Sequence, residues 1–309
     1  MNKDISKHFS GDIRSALMKI SEGDFPRCQE LRLRVNRSLS VYTGDETYIL
    51  DKNGQLFLPA RNFTGIKVTE ADMKYTFESI CEYSVHSFSR EIKSGFITVA
   101  GGHRAGFCGT AVSEDAFGKT LTVKNISSIN FRIAREVKGA ANNLLKRLMR
   151  NFRFPSVLIC GSVGSGKTTL LRDLSRQLGD YIKISMIDSR GELAAVYNGV
   201  PALDVGVFTD VFDGYSKAEG IETAVRVMSP QIIVCDEIGS DADMSDIKAL
   251  RFAKLSGVTI IASCHAASIE DIRGKNIPED MFDFAVFLKG SEHPAEILTI
   301  AQFEKKGLS

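Results

Sequence analysis

The C-terminal half of the chain contains short runs of consecutive apolar residues, and an amphipathic stretch separates each run from the next. Runs of this kind are typical of parallel strands that are buried on both faces of a sheet. Alternation of such strands with helices predicts an α/β domain, which we place at residues 138–309. The predicted strands are SVLICG (156–161), YIKISMID (181–188), QIIVCDEI (231–238), VTIIASCH (258–265) and FDFAVFLKG (282–290), and a helix is predicted over KGAANNLLKRLMRNF (138–152).

Residues 1–137 carry a different pattern, in which short strands are mixed with helices. In ELRLR (30–34), leucines alternate with arginines, which is typical of a strand with one buried and one solvated face. Residues 69–84 begin with Thr-x-x-Asp, which is a signature of a helix N-terminus, and a helix is predicted over this segment. Residues 95–112 contain two strand-like runs joined by GGHRAG, which predicts a hairpin with Arg104 in its turn. These elements predict a second, smaller α+β domain.

Composition and charge narrow the classes of partner. The chain has 309 residues, with 39 Lys+Arg against 38 Asp+Glu and a net charge of +1. Near-neutrality argues against binding of nucleic acid through bulk positive charge. The longest apolar runs are far shorter than the roughly 20 residues that span a bilayer, and the N-terminus lacks the apolar core of a signal peptide. We therefore expect a cytosolic protein whose six cysteines, none of them in a CxxC pair, are free thiols.

One motif carries specific chemistry, because the strand SVLIC leads into GSVGSGKTT and then into the helical LLRDLSRQL. This is the phosphate-binding loop GxxxxGK[ST] in the strand–loop–helix context that it requires. The loop N–H groups converge on an anion, and the helix N-terminus adds a favourable dipole. We predict that Lys167 binds the β- and γ-phosphates and that the Thr168 hydroxyl is a magnesium ligand. The predicted nucleotide-binding residues are Gly161, Ser162, Val163, Gly164, Ser165, Gly166, Lys167, Thr168 and Thr169.

The strand QIIVC is followed by an acidic pair, Asp236 and Glu237. Together with a phosphate loop, such a pair is typical of a nucleoside triphosphate hydrolase. We predict that Asp236 holds the magnesium shell and that Glu237 polarises a water for in-line attack on the γ-phosphate. The alternative interpretation is an acidic strand end with a solvated glutamate.

Two further strand ends carry candidate catalytic residues. Asp188 and Glu192 follow the strand YIKISMID, and His265 ends VTIIASCH. Ligands bind at the carboxyl ends of the strands in sheets of this type. We predict that Asp188 and Glu192 tune the magnesium ion or the attacking water and that His265 senses the γ-phosphate. Arg190, between the two acids, serves either the site or a simple ion pair.

Taken in order, the phosphate loop, the acidic box, the Asp-Glu strand and the histidine resemble the type II and type IV secretion ATPases, which are hexameric RecA-like motors. More closely, the sequence resembles the family of stage III sporulation protein AA. One departure is Ser189, which stands where that family more usually has a glutamate. The segments that carry the closer resemblance are ELRLR (30–34), GFITVAGGHRAG (95–106), ISSINFRIARE (126–136), DVFDGYSKAEG (210–220) and MSPQIIVCDEIG (228–239).

The resemblance implies a C-terminal RecA-like P-loop NTPase domain with a mostly parallel sheet and an enzyme that hydrolyses ATP with Mg²⁺. It also implies a homo-oligomeric, hexameric ring in the mother cell, at the membrane that faces the forespore. Contact with that membrane would be made through integral-membrane subunits of a sporulation channel. By the same resemblance, the N-terminal domain closes over the nucleotide and supplies a catalytic arginine, for which Arg132 and Arg135 are the favoured candidates and Arg104 a further one.

Two other functions remain open at the level of the sequence. The first is a nucleic-acid-binding P-loop ATPase, against which the charge balance and the lack of an appended basic domain argue. The second is a nucleotide-gated scaffold with little turnover, against which the Asp-Glu pair argues. We therefore expect no nucleic-acid partner.

Overall fold

The computed structural model describes residues 3–20, 28–44, 46–60, 65–114, 120–150, 153–239, 244–275 and 277–303. The chain divides into two compact units, Met1–Arg135 and Glu136–Ser309. The boundary predicted from the sequence follows residue 137.

The N-terminal unit is an antiparallel sheet with helices packed on it through one apolar core. Its strands are β1 (Glu30–Arg34), β2 (Ser40–Tyr42), β3 (Thr47–Leu50), β4 (Leu56–Phe57), β5 (Phe96–Val99), β6 (His103–Glu114) and β7 (Thr120–Arg132). Within the described residues they form a seven-stranded sheet in the order β4-β3-β2-β1-β7-β6-β5. Its helices are α1 (Lys3–Ser6), α2 (Gly11–Lys19), α3 (Glu70–Ile80) and α4 (Ser89–Ser94).

Strand β1 confirms the alternation predicted from ELRLR. Leu31 and Leu33 are fully buried, whereas Arg32 and Arg34 are exposed. On the exposed face Arg32 forms an ion pair with Glu30 at 2.7 Å. Exposed pairs of this kind contribute little to stability, so the buried leucines are what holds the strand to the core.

Helix α3 begins as predicted and ends earlier than predicted. The Thr69 hydroxyl accepts the Asp72 N–H at 3.1 Å, and the Asp72 carboxylate accepts the Thr69 N–H at 3.0 Å. This reciprocal capping box satisfies two N–H groups that the first helical turn leaves free. The helix ends at Ile80, because Glu82 and Tyr83 have left-handed φ values of 48° and 58° that a helix cannot include.

The predicted hairpin is formed by β5 and β6, but its turn is shorter than GGHRAG. Val99 pairs with His103, so only residues 100–102 make the turn. Arg104 pairs with Thr98 inside the ladder, and its guanidinium lies 4.8 Å from the centre of the Phe96 ring. The prediction that placed Arg104 in the turn is therefore wrong.

The C-terminal unit is built on a mostly parallel sheet. Its strands are β8 (Val157–Cys160), β9 (Ile184–Asp188), β10 (Val196–Tyr197), β11 (Val200–Pro201), β12 (Thr209–Asp213), β13 (Ile232–Cys235), β14 (Thr259–Cys264), β15 (Phe284–Leu288) and β16 (Ile297–Gln302). Within the described residues, seven of these form a sheet in the order β12-β9-β13-β14-β8-β15-β16, in which only the β15–β16 pair is antiparallel. Its helices are α5 (Asn142–Leu148), α6 (Lys167–Gly179), α7 (Lys217–Val227), α8 (Met244–Leu255) and α9 (Ile269–Gly274). No helix in the described part of the chain is long and apolar enough to cross a bilayer.

The continuous apolar runs are explained by a core on each face of this sheet. In β13, Ile232 and Val234 face the core that contains α6, whereas Ile233 and Cys235 face the core that contains α7 and α8. Every position of such a strand is buried, so the sequence shows no alternation. The predicted strands that became β8, β9, β13, β14 and β15 are confirmed. The edge strands β12 and β16 are half exposed and were not predicted from the sequence.

The helix that opens the C-terminal unit is shorter than the predicted 138–152. It spans Asn142–Leu148, and residues 151 and 152 lie outside the described residues. Gly139 has a φ of 87°, which interrupts helical geometry. The Ala141 N–H donates to the Asp173 carboxylate at 2.8 Å, which ties the helix start to α6.

The N-terminal unit contains a buried histidine with a strongly shifted pKa. His8 is 4% exposed, and its Nδ1 lies 3.0 Å from the Ser79 hydroxyl. Burial lowers the pKa of His8 to about 4. The charges of Lys7 and His103 act in the same direction, whereas the Ser79 hydrogen bond and Glu82 oppose the shift.

We expect the N-terminal unit to lose stability as the pH falls from about 6.5 towards 4. In this window the unfolded chain binds a proton at His8 that the folded chain excludes, so acid favours unfolding. A folded-state pKa of about 4 corresponds to a loss of about 3 kcal/mol. Urea unfolding at neutral pH and near pH 4.5 measures it. His8→Leu should flatten this dependence and His86→Asn, at an exposed histidine, should not; equal pH slopes for wild type and His8→Leu would contradict the assignment.

Candidate nucleotide-binding site

The predicted phosphate loop connects β8 to α6 in the expected strand–loop–helix arrangement. Gly166, the last loop residue, has a φ of 87°, and a Cβ there would lie 2.3 Å from the Ala295 nitrogen. The Ala295 N–H in turn donates to the Ser165 carbonyl at 2.8 Å. The connection between β15 and β16 therefore packs directly on the loop, a contact that the motif gives no means of predicting.

The Lys167 side chain folds back onto the phosphate loop and donates to its carbonyls. Its ammonium donates to the carbonyls of Gly161 and Ser162 at 3.0 and 2.8 Å and lies 3.2 Å from His265 Nδ1. The residue is only 7% exposed, and this burial lowers the pKa of Lys167, while the charges of Asp236 and other acids oppose the shift. The lysine thus occupies the concavity formed by its own loop.

Asp236 lies next to the loop and meets two hydroxyl groups. The Thr168 hydroxyl donates to Asp236 Oδ2 at 3.2 Å, and the Ser263 hydroxyl donates to Oδ1. Ser263 was not predicted as a site residue, because a serine inside an apolar strand gives no signal of its own.

A magnesium ion fits the donor set at this position. The hydroxyl of Thr168 and the carboxylate of Asp236 are hard oxygen ligands, and Mg²⁺ in NTPases takes one or two protein ligands together with phosphates and waters. Within the described residues there is no cluster of three or more His, Cys, Asp or Glu side chains that could hold a metal by protein ligands alone.

Both oxygens of the Glu237 carboxylate have side-chain partners. Its Oε1 lies 3.3 Å from His265 Nε2, and its Oε2 accepts a hydrogen bond from Arg190. The backbone is left-handed there, with a φ of 45°. A continuous set of polar contacts therefore runs from Lys167 through His265 and Glu237 to Arg190.

Asp188 is placed differently from the other predicted acids. It is fully buried, and its carboxylate accepts the N–H groups of Glu192, Leu193 and Ala194 at 2.8, 3.0 and 2.9 Å. Burial raises the pKa of Asp188, and these three hydrogen bonds oppose the shift. The carboxylate thus organises the turn that follows β9, and Glu192 contributes its N–H group to that turn.

The two arginines predicted to act on phosphate belong to the N-terminal unit. Arg132 ends β7, where it pairs with Glu30 of β1 and Arg104 of β6. Arg135 donates from its guanidinium to the Cys28 carbonyl at 2.6 Å. The residues that the C-terminal unit itself brings together are Lys167, Thr168, Asp236, Glu237, His265 and Arg190.

The sequence of the chain is similar to a known protein family and to several known proteins. A family model described as sporulation stage III, protein AA, matches residues 1–309. Stage III sporulation protein AA of Bacillus subtilis (strain 168) is 33% identical over 275 residues, which are 87% of this chain and 83% of that protein. The DNA repair protein RadA of Halalkalibacterium halodurans is 29% identical over 153 residues, which are 44% of this chain and 33% of RadA.

Two solved structures with a similar fold are ATPases. The ATPase DotB of Legionella pneumophila superposes with a TM-score of 0.52 at 16% identity, over 84% of this chain and 72% of DotB. DotB of Yersinia pseudotuberculosis gives a TM-score of 0.52 at 14% identity, over 90% of this chain and 75% of DotB. Such identities show the fold alone, and they confirm the predicted α/β fold with a RecA-like C-terminal domain built on a mostly parallel sheet.

We expect Asp188→Ala to destabilise the C-terminal unit by about 2–5 kcal/mol, because three N–H groups lose their buried acceptor. Asp188→Asn, which keeps one acceptor oxygen, should lose less. Thermal or urea unfolding measures both variants against Asp210→Ala, an exposed aspartate on β12. A melting curve of Asp188→Ala equal to that of Asp210→Ala would exclude the structural role.

Proposed function

Since the chain belongs to the family of sporulation stage III protein AA, we propose that it is a magnesium-dependent ATPase of the secretion-ATPase type. Its ATP hydrolysis drives assembly of, or transport through, a sporulation-specific membrane channel complex between mother cell and forespore. The observation that carries the proposal is the convergence of the phosphate loop, the Thr168–Asp236 contact and Glu237 at one edge of the sheet.

Lys167 is the residue that binds the phosphate chain. Its ammonium now rests on the carbonyls of Gly161 and Ser162, which are neutral partners. A triphosphate would present charged oxygens to this ammonium group. Charge-assisted hydrogen bonds are roughly twice as strong as neutral ones. The lysine therefore exchanges the loop carbonyls for the β- and γ-phosphates when ATP enters.

Thr168 and Asp236 would hold the magnesium ion, which would neutralise charge on the β- and γ-phosphates. Glu237 then orients the attacking water and takes its proton. In this step Glu237 accepts the water in addition to its contacts with His265 and Arg190, because each of its oxygens has one of these partners and a carboxylate accepts about four hydrogen bonds. His265 touches Lys167 as well as Glu237, so movement of the lysine onto phosphate reaches Glu237 through the imidazole.

The proposed working form is a homo-oligomer, a hexameric ring, in which Arg132 or Arg135 approaches the γ-phosphate. The ring lies on the mother-cell side and reaches the membrane through integral-membrane subunits of the channel. The near-neutral net charge of +1 supports contact through such partners over adsorption to anionic lipid by bulk charge.

The similarity to RadA over 44% of the chain supports a second candidate, a nucleic-acid-binding ATPase. Turnover that single-stranded DNA stimulates, and that salt suppresses, would favour this candidate over the channel role. Nucleotide binding that changes the oligomeric state without turnover would favour a nucleotide-gated scaffold.

We expect Glu237→Gln to lower steady-state ATP turnover by on the order of 10²-fold or more while ATP binding stays within a few fold, because only the base is lost. Lys167→Ala should lose both binding and turnover. Phosphate release and titration with a fluorescent ATP analogue measure the two quantities, with Lys248→Ala and Glu219→Gln, at exposed positions, as controls. Wild-type turnover in Glu237→Gln would remove this residue as the water activator.

If Arg132 or Arg135 reaches the γ-phosphate, its replacement by alanine should lower turnover by about 10³–10⁵-fold with little change in ATP affinity. Arg37→Ala, at an exposed arginine of the same unit, is the matched control. A melting curve is recorded for Arg135→Ala, because that guanidinium also binds the Cys28 carbonyl. Undiminished turnover in both variants would exclude both arginines from the reaction.

A further inference from the structure

Ser263 contacts both residues of the acidic pair, Asp236 and Glu237, although no sequence motif marks it as a site residue. It lies on β14, beside β13, and is fully buried. Its hydroxyl donates to Asp236 Oδ1 and accepts the Glu237 N–H at 3.0 Å, while its carbonyl accepts the Ile238 N–H at 2.7 Å. One residue therefore binds three consecutive residues at the end of β13.

The hydrogen-bond capacity of the hydroxyl suits both of these contacts. A serine hydroxyl has one O–H donor and accepts through its lone pairs. In Ser263 the donor is used by the Asp236 carboxylate and an acceptor position by the Glu237 N–H. Since the residue is buried, water cannot easily replace either bond if the hydroxyl is removed.

The two contacts fix two different parts of the acidic pair. Asp236 receives one hydroxyl on each oxygen, from Ser263 and from Thr168, so its carboxylate plane is set from two sides. A carboxylate accepts about four hydrogen bonds or ligands, so each oxygen keeps capacity for the hydration shell of a cation. Glu237 has a left-handed φ of 45°, which a non-glycine residue adopts only when its surroundings impose it. The Ser263 hydroxyl and carbonyl supply two of the bonds that hold this turn.

We propose that Ser263 is a positioning residue that aligns the magnesium-side carboxylate of Asp236 and the water-side carboxylate of Glu237 together. The inference rests on the proposed ATPase function and deepens it, because it makes one buried hydroxyl responsible for coupling the metal site to the base. Residues that orient a metal ligand typically change metal affinity or activity by about 10–100-fold when removed.

The chain offers a close control for the buried environment. Ser185 lies on β9, the neighbour of β13 on its other side, and is also fully buried. Its hydroxyl has no hydrogen-bond partner within the part of the chain that the structure describes. Ser185→Ala therefore removes the same atom from the same sheet without touching the acidic pair.

The test compares Ser263→Ala with Ser185→Ala and wild type in the full-length chain. For Ser263→Ala we expect kcat to fall about 10–100-fold and the Mg²⁺ concentration for half-maximal turnover to rise about 10-fold. The affinity for a fluorescent ATP analogue without Mg²⁺ should stay within about threefold, whereas the gain in affinity on adding Mg²⁺ should be largely lost. Ser263→Thr, which keeps the hydroxyl, should restore part of both effects, and thermal melts confirm that each variant is folded.

The measurements of ATP-analogue affinity test the positioning role of Ser263 independently of ATP turnover. If wild type and Lys167→Ala both fail to hydrolyse ATP, the proposed function is wrong, yet the Mg²⁺-dependent change in analogue affinity still reports whether Ser263 aligns Asp236. Equal Mg²⁺ dependence in Ser263→Ala and Ser185→Ala would overturn the positioning role. So would a loss in Ser263→Ala that is confined to thermal stability.

Discussion

A buried ammonium group that donates to two backbone carbonyls is the interaction on which the site depends. Removing such a charge from water costs several kcal/mol unless partners compensate. Lys167 obtains part of this compensation from the carbonyls of Gly161 and Ser162 and part from the field of Asp236 and Glu237. Among the described residues, the oxygens that accept hydrogen bonds from the lysine are these two neutral carbonyls. A triphosphate with its magnesium ion would replace these weak partners by strong ones, which is the physical reason for proposing that the loop binds a nucleotide.

The strand order of the parallel sheet determines which polar residues lie near Lys167. Strands β8, β14 and β13 are neighbours in register, with Cys160 beside Cys264 and Ala262 beside Cys235. Each strand ends at the same edge, so the residues that follow them form one cluster although they are distant in sequence. Because apolar cores cover both faces of the sheet, packing fixes this register. The fixed register in turn sets the positions of the polar residues that follow the strands.

Much of this arrangement could be predicted from the sequence, since local signals carry it. The phosphate loop is a contiguous motif, and the buried strands are contiguous apolar runs. Long-range contacts carried no such signal. The turn-organising role of Asp188, the Arg190–Glu237 pair and the Ser263 hydroxyl all depend on partners that only folding brings close. The position of Arg104 was also mispredicted for this reason. Its glycine-rich surroundings indicated a turn, whereas strand pairing places it opposite Thr98 in the β5–β6 ladder.

The most direct measurement is a structure of the chain bound to Mg²⁺ and a non-hydrolysable ATP analogue. We expect Lys167 Nζ to leave the Gly161 and Ser162 carbonyls and to bind phosphate oxygens, while Thr168 and Asp236 face the metal. An analogue bound elsewhere on the chain, with Lys167 still on its own loop carbonyls, would show that this loop is not the nucleotide site.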